Sequence, residues 1–239
     1  MFPLAAATDY YVATPAQFTA RTGYANAAES GAQVSFATLR AGDRVLLKGG
    51  SWSGFRAVLT GSMTDTEAQA NPARILACDA NYQPTLGGVV VDGLARVNLR
   101  GAGLVLAGVH FSSRSGMFRA GSGTDYNDDE GLAYLISLDS GSKFGTLSHL
   151  KFERCGWDNT DPDNDHYGPW VSVSGYRHTL QYCEVAGRDF DAVNPAATNR
   201  SIRNATFTFN TDTVTPFGGH RVRRMYFGER KVPCGSDER

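Results

Sequence analysis

Five short stretches of the chain share one spacing of apolar residues: a first member, a second three positions on and a third five positions on. They are Leu106/Val109/Phe111, Phe152/Cys155/Trp157, Leu180/Cys183/Val185, Ile202/Ala205/Phe207 and Val222/Met225/Phe227. Their first members are separated by 46, 28, 22 and 20 residues, the first step being close to two of the later ones. Strands recurring at such a period, with insertions at one turn, predict a β-solenoid, because each coil adds one short strand to each parallel sheet. The triplets then point inward and stack on the next coil, about 4.8 Å away.

The rest of the chain agrees with an all-β reading. From Ser35 onward, short β-prone runs such as "RVLLKGGSW", "ARILACD", "GGVVVDG", "GLVLAGVHF" and "AYLISL" alternate with Gly, Asn and Asp. The two-residue turns of a hairpin sandwich are scarce, with "VDGL" as one candidate. A short helix is expected at "TPAQFTAR", where Thr14 is an N-cap, Pro15 the first helical residue and Gln17 the closing member of a capping box. It would cap the first coil. Residues 1–13 read either as the remnant of a clipped signal peptide or as an ordinary terminus. Residues 14–239 read as one solenoid domain. Two polar insertions, "RSGMFRAGSGTDYNDDEG" and "DNTDPDNDHYGP", are expected as surface turns.

Composition narrows the partners. A formal net charge of -1 gives no global attraction to nucleic acid or to an anionic membrane, so any polyanion site must be local. Cys78, Cys155, Cys183 and Cys234 lie far apart with no C-x-x-C pair, which argues against a zinc site. Cys155 and Cys183 share a repeat position, so they are expected as neighbours, either bridged or packed as small apolar groups.

Three sets of residues carry candidate chemistry. Asp161, Asp163 and Asp165 alternate in "DPDNDHYG" as in a calcium loop, but His166 stands where the sharp turn needs Gly and Ser172 where the closing Glu would sit, which favours a solvated acidic loop over a metal site. Arg203, Arg221, Arg223 and Arg224 would line an outer face suited to carboxylate or sulfate groups, or simply solvate it. His178 and His220 precede repeat copies at equivalent positions, with His149 nearby. They suit either turn contacts to backbone or proton transfer and substrate contact. Outward Asp and Glu at matching repeat positions look sparse, which lowers a paired-carboxylate hydrolase or adhesin reading.

Several segments in order resemble polysaccharide lyase family six, the alginate lyase and chondroitinase B family. "LRAGDRVLLKGGSWSG" resembles its "PGDTIVLxDGTY" opening, and "PARILACDANYQPTLGG…LRGAGLVLAGVHFSS" the coils that follow. "HLKFERCGWDN", "PWVSVSGYRHTLQYCEVAG" and "HRVRRMYFGER" are similar to "NxRITNCxF", "WVxLYGxxNRVDHCxFxG" and "HRIDHNYFGxR". The resemblance spans about residues 9 to 231 and implies a right-handed parallel β-helix that cleaves acidic, uronate-containing polysaccharide by β-elimination. It also implies a secreted or periplasmic protein, with calcium (Ca2+) neutralising the sugar carboxylate, and Lys and Arg on later coils moving the protons.

The family's calcium Asn lies in an "NGGE"-like stretch after the "HNYFGxR" coil, where this chain reads "CGSDER". The expectation is therefore a β-helix incomplete at its C-terminal end, with weak or no catalysis by this chain alone and self-association through an open coil. A non-catalytic β-helix that binds acidic glycan through the arginine face is the alternative.

Overall fold

Three faces of parallel strands wind around a core of stacked apolar side chains, as the inward-pointing triplets require. The computed structural model describes residues 7–19, 24–25, 33–34, 38–112, 135–153, 171–186, 207–209 and 218–227. Face one runs through Asp9–Val12, Arg44–Leu47, Ala73–Ala77, Leu104–Ala107, Thr146–Ser148, Thr179–Gln181 and Arg221–Arg223, each parallel to the next. Tyr24–Ala25 and Gln33–Val34 extend its first edge antiparallel. The strand Asp9–Val12 builds part of segment 1–13 into this face.

Faces two and three begin as one. The long strands Gly50–Gly61 and Val89–Gly101 run across both, with an irregularity between Trp52 and Gly54. Face two continues as Val109–Phe111, Lys151–Glu153, Glu184–Ala186 and Tyr226–Phe227. Face three continues as Ile136–Leu138, Val171–Val173 and Phe207–Phe209. The architecture is an all-β, right-handed solenoid. "VDGL" is not a hairpin turn: it lies inside the strand Val89–Gly101, where the chain passes from face two to face three.

The register corrects the repeat. On face one the inner ladder is Val45, Ile75, Leu106, Leu147, Leu180 and Val222, at intervals of 30, 31, 41, 33 and 42 residues. The true second copy is Leu147/Leu150/Phe152 rather than Phe152/Cys155/Trp157, because Phe152 pairs with Phe111 and Val185, the third members of their copies. Ile202/Ala205/Phe207 is no copy of this triplet either, since Phe207 pairs with Val171 on face three. The period is therefore one coil of 30 to 42 residues, and the 46-residue step was an artefact of register. Cys183 follows Leu150 in its ladder, not Cys155, and carries a free, buried thiol. Cys155, Trp157 and Ile202 lie outside the described residues.

Packing follows the ladders. Phe111 and Phe152 are fully buried and stack with centroids 5.3 Å apart, which adds aromatic attraction to the loss of water-exposed area. The chain turns between faces on residues in the left-handed region. Gly103, Phe144, Arg177 and Gly219 make the corner leading into face one, and Gly108, His149, Tyr182 and Arg224 the corner between faces one and two. Six positive-φ residues in the described chain are not glycine, each a conformation that costs about 1 kcal/mol or more.

The expected short helix spans Ala16–Thr19, where Gln17 Oε1 accepts from the backbone N–H groups of Ala13 and Thr14 at 2.6 and 3.0 Å. A second helix, Asp65–Ala70, went unread in the sequence although Thr64 and Glu67 form a complete capping box.

Candidate functional site at the corner between faces one and two

Parallel stacking brings the dipeptides Ser148-His149, Gln181-Tyr182 and Arg223-Arg224 to one corner on three successive coils. In each, the first residue ends the face-one strand with its side chain outward. The second sits at positive φ and projects from the corner. His149 and Tyr182 stack with centroids 4.8 Å apart and an interplanar angle of 12°. The Arg224 guanidinium lies over the Tyr182 ring at 5.2 Å and donates from Nη1 to the Tyr182 hydroxyl at 2.6 Å.

The strand-end residues complete the network. Arg223 Nε donates to Gln181 Oε1 at 2.9 Å, Gln181 Nε2 donates to Ser148 Oγ at 3.5 Å, and Ser148 Oγ meets His149 Nδ1 at 2.7 Å. Arg221 is exposed on the same face, and Arg177 lies over the Tyr176 ring at 5.0 Å on the neighbouring corner. Among the described residues, no carboxylate lies within 4 Å of Arg177, Arg221, Arg223 or Arg224. The corner is a local concentration of positive charge on a chain whose net charge is -1.

The histidines divide. His178 is fully buried: Gly145 N–H donates to its Nδ1 at 2.8 Å, which puts the ring proton on Nε2, 3.1 Å from Ser142 Oγ. Burial and the neighbouring His220 push its pKa down to about 4. His220 stacks on it at 5.3 Å and accepts from the His178 backbone N–H at 3.3 Å; burial lowers its pKa too. With no exposed surface, His178 has nothing to offer a polysaccharide; its contacts are those of a turn histidine. His149 belongs to the other corner.

A second charged group stands on the outer side of face two, where matching acids looked sparse. His110 Nε2 is 2.9 Å from Glu153, and Lys151 Nζ lies 3.6 Å from both Glu153 and Glu184. Glu184 is the register partner of Lys151 and Glu153 that of Ala186, so no two acids share a repeat position here, as expected. Opposite charges satisfy one another there, unlike at the arginine corner.

Arg203, Asp161, Asp163 and Asp165 lie outside the described residues. Among the described residues, no three His, Cys, Asp or Glu side chains are placed to hold a metal ion. No helix among them is long and apolar enough to cross a membrane.

Comparison with known proteins agrees with the coil. The chondroitinase B family profile matches residues 26–238. The chain belongs to the chondroitinase B family. Among solved structures, it is similar to a mannuronic acid specific polysaccharide family 6 lyase from human gut microbiota, at 16% identity and a TM-score of 0.54. That match covers 93% of this chain and 41% of the other. It is also similar to the PL6 family alginate lyase AlyGC, at 15% identity and a TM-score of 0.50, over 90% of this chain and 23% of the other. These likenesses establish a shared fold, and the chain spans less than half the length of either structure. A search of curated proteins finds no match.

Proposed function

We propose that this chain is part of a polysaccharide lyase that acts outside the cytoplasm on uronate-containing polysaccharide, and that the described coils hold the polymer. Membership of the chondroitinase B family is the observation that carries this reading. The reaction is β-elimination: a base removes the proton on the carbon beside the carboxylate, the electron pair forms a carbon–carbon double bond, and the glycosidic oxygen leaves and takes a proton. Neutralising the carboxylate makes that carbon acidic enough to react. Calcium supplies this in the family resemblance; among the described residues no three His, Cys, Asp or Glu side chains are grouped to hold a metal ion.

What they assemble is cationic. Guanidinium groups pair with carboxylates through two parallel hydrogen bonds, and four of them on this side of the coil have no carboxylate partner among the described residues. This favours, as a second reading, a coil segment that binds acidic glycan without cleaving it.

The test is ultraviolet absorbance of unsaturated uronate during incubation with alginate, polymannuronate or dermatan sulfate, with calcium added, alongside retention on the immobilised polymers. Retention that weakens with salt, with little product from this chain alone, is expected. Rapid product formation would place the proton transfers within this chain, and absence of retention on every uronate polymer would remove the reading altogether.

A further inference from the structure

We propose that the corner network of Ser148, His149, Gln181, Tyr182, Arg223 and Arg224 is a preorganised binding site for the carboxylate of an acidic oligosaccharide, separate from any site of bond cleavage. It rests on the reading of the chain as a uronate-polymer protein, and specifies where the polymer is held.

Two long arginine side chains on a surface ordinarily sample many rotamers, and freezing them on binding opposes association. Here both are already fixed. Arg223 uses Nε on Gln181 Oε1, which leaves its two terminal nitrogens without a partner among the described residues. Arg224 is held against the Tyr182 ring through one terminal nitrogen, which leaves Nε and the other terminal nitrogen. The network that fixes them runs back through Ser148 to His149, so three coils hold the two guanidinium groups.

The ligand class follows from what remains open. Guanidinium groups on consecutive residues, each with spare planar donors, match a carboxylate, which accepts two parallel N–H bonds. The 39% exposed Tyr182 and the exposed His149 present ring edges and polar atoms to the hydroxyls of a sugar carrying that carboxylate. The left-handed backbone at these three residues is a strained conformation used to aim side chains outward from a corner. The balanced group around Lys151 on face two has no comparable appetite for an anion.

The experiment is calorimetric titration of the intact chain with a mannuronate hexasaccharide, for the wild type, Arg223→Gln, Arg224→Asn and the charge-matched control Arg74→Gln. Asn tolerates the positive φ of position 224 and keeps the corner backbone. Loss of a charge-assisted pair is expected to weaken binding about tenfold in each corner variant, with the control within about twofold of wild type. Circular dichroism and thermal melting confirm that each variant is folded. Wild-type binding that the corner variants leave intact would overturn this site while sparing the proposed function. Absence of binding to any uronate would overturn both. Equal affinity for a single-stranded oligonucleotide would overturn the carboxylate assignment and leave a general polyanion surface.

Discussion

Buried neutral His178 ties the stability of the coil to pH. In the unfolded chain its ring takes a proton near the ordinary value of 6.5, whereas in the folded chain burial and His220 delay protonation to about 4. Between those values the unfolded state holds more protons than the native state, so stability falls as pH is lowered through this window and levels off below it. A drop of that size corresponds to about 3 kcal/mol, a large share of the stability of a typical domain. Urea denaturation of wild type and His178→Gln at a series of pH values from 7.5 to 4 measures it. Gln can accept from Gly145 N–H and donate to Ser142, but cannot titrate. The wild type should lose about 3 kcal/mol more than the variant between pH 7 and pH 4. Parallel pH dependence in the two proteins would refute the claim that His178 is buried neutral.

Three further outcomes follow from the ladders. Phe152→Ala should destabilise the chain by about 3 to 5 kcal/mol in chemical denaturation, because it empties a fully buried rung stacked on Phe111. Gly145→Ala should cost about 1 to 3 kcal/mol, since a Cβ there would meet Leu138 Cδ2 at 2.8 Å and His178 Nδ1 at 2.9 Å. The Cys183 thiol, whose pKa burial raises to about 11, should resist alkylation at neutral pH until urea unfolds the coil, as read by mass spectrometry.

Inner positions were legible in the sequence because a solenoid demands apolar residues where side chains stack, and Leu106, Val109 and Phe111 meet that demand plainly. Register was harder. Phe152 has apolar residues three and five positions after it, so it can be taken for a first member, although it stacks as a third. Coil length also varies from 30 to 42 residues, so no fixed period anchors the alignment. Buried His178 violates the apolar rule, and it is accommodated because Gly145 on the preceding coil leaves room for its ring and donates to it.

The corner network was almost invisible for a related reason. Its members are polar, outward and spaced 33 and 42 residues apart from Ser148 to Gln181 and Arg223, so no local pattern joins them. The available signal was the dipeptide just before each second apolar member, Ser148-His149, Gln181-Tyr182 and Arg223-Arg224. Reading it required the true register. The arginines stood out individually, but Gln181 and Tyr182, which fix them, did not.

The most direct measurement is an amide nuclear magnetic resonance titration of this chain with the mannuronate hexasaccharide. The account predicts saturable shifts centred on Ser148, His149, Gln181, Tyr182, Arg223 and Arg224, reversed by salt. Shifts confined to other parts of the coil, or none at saturating sugar, would contradict it.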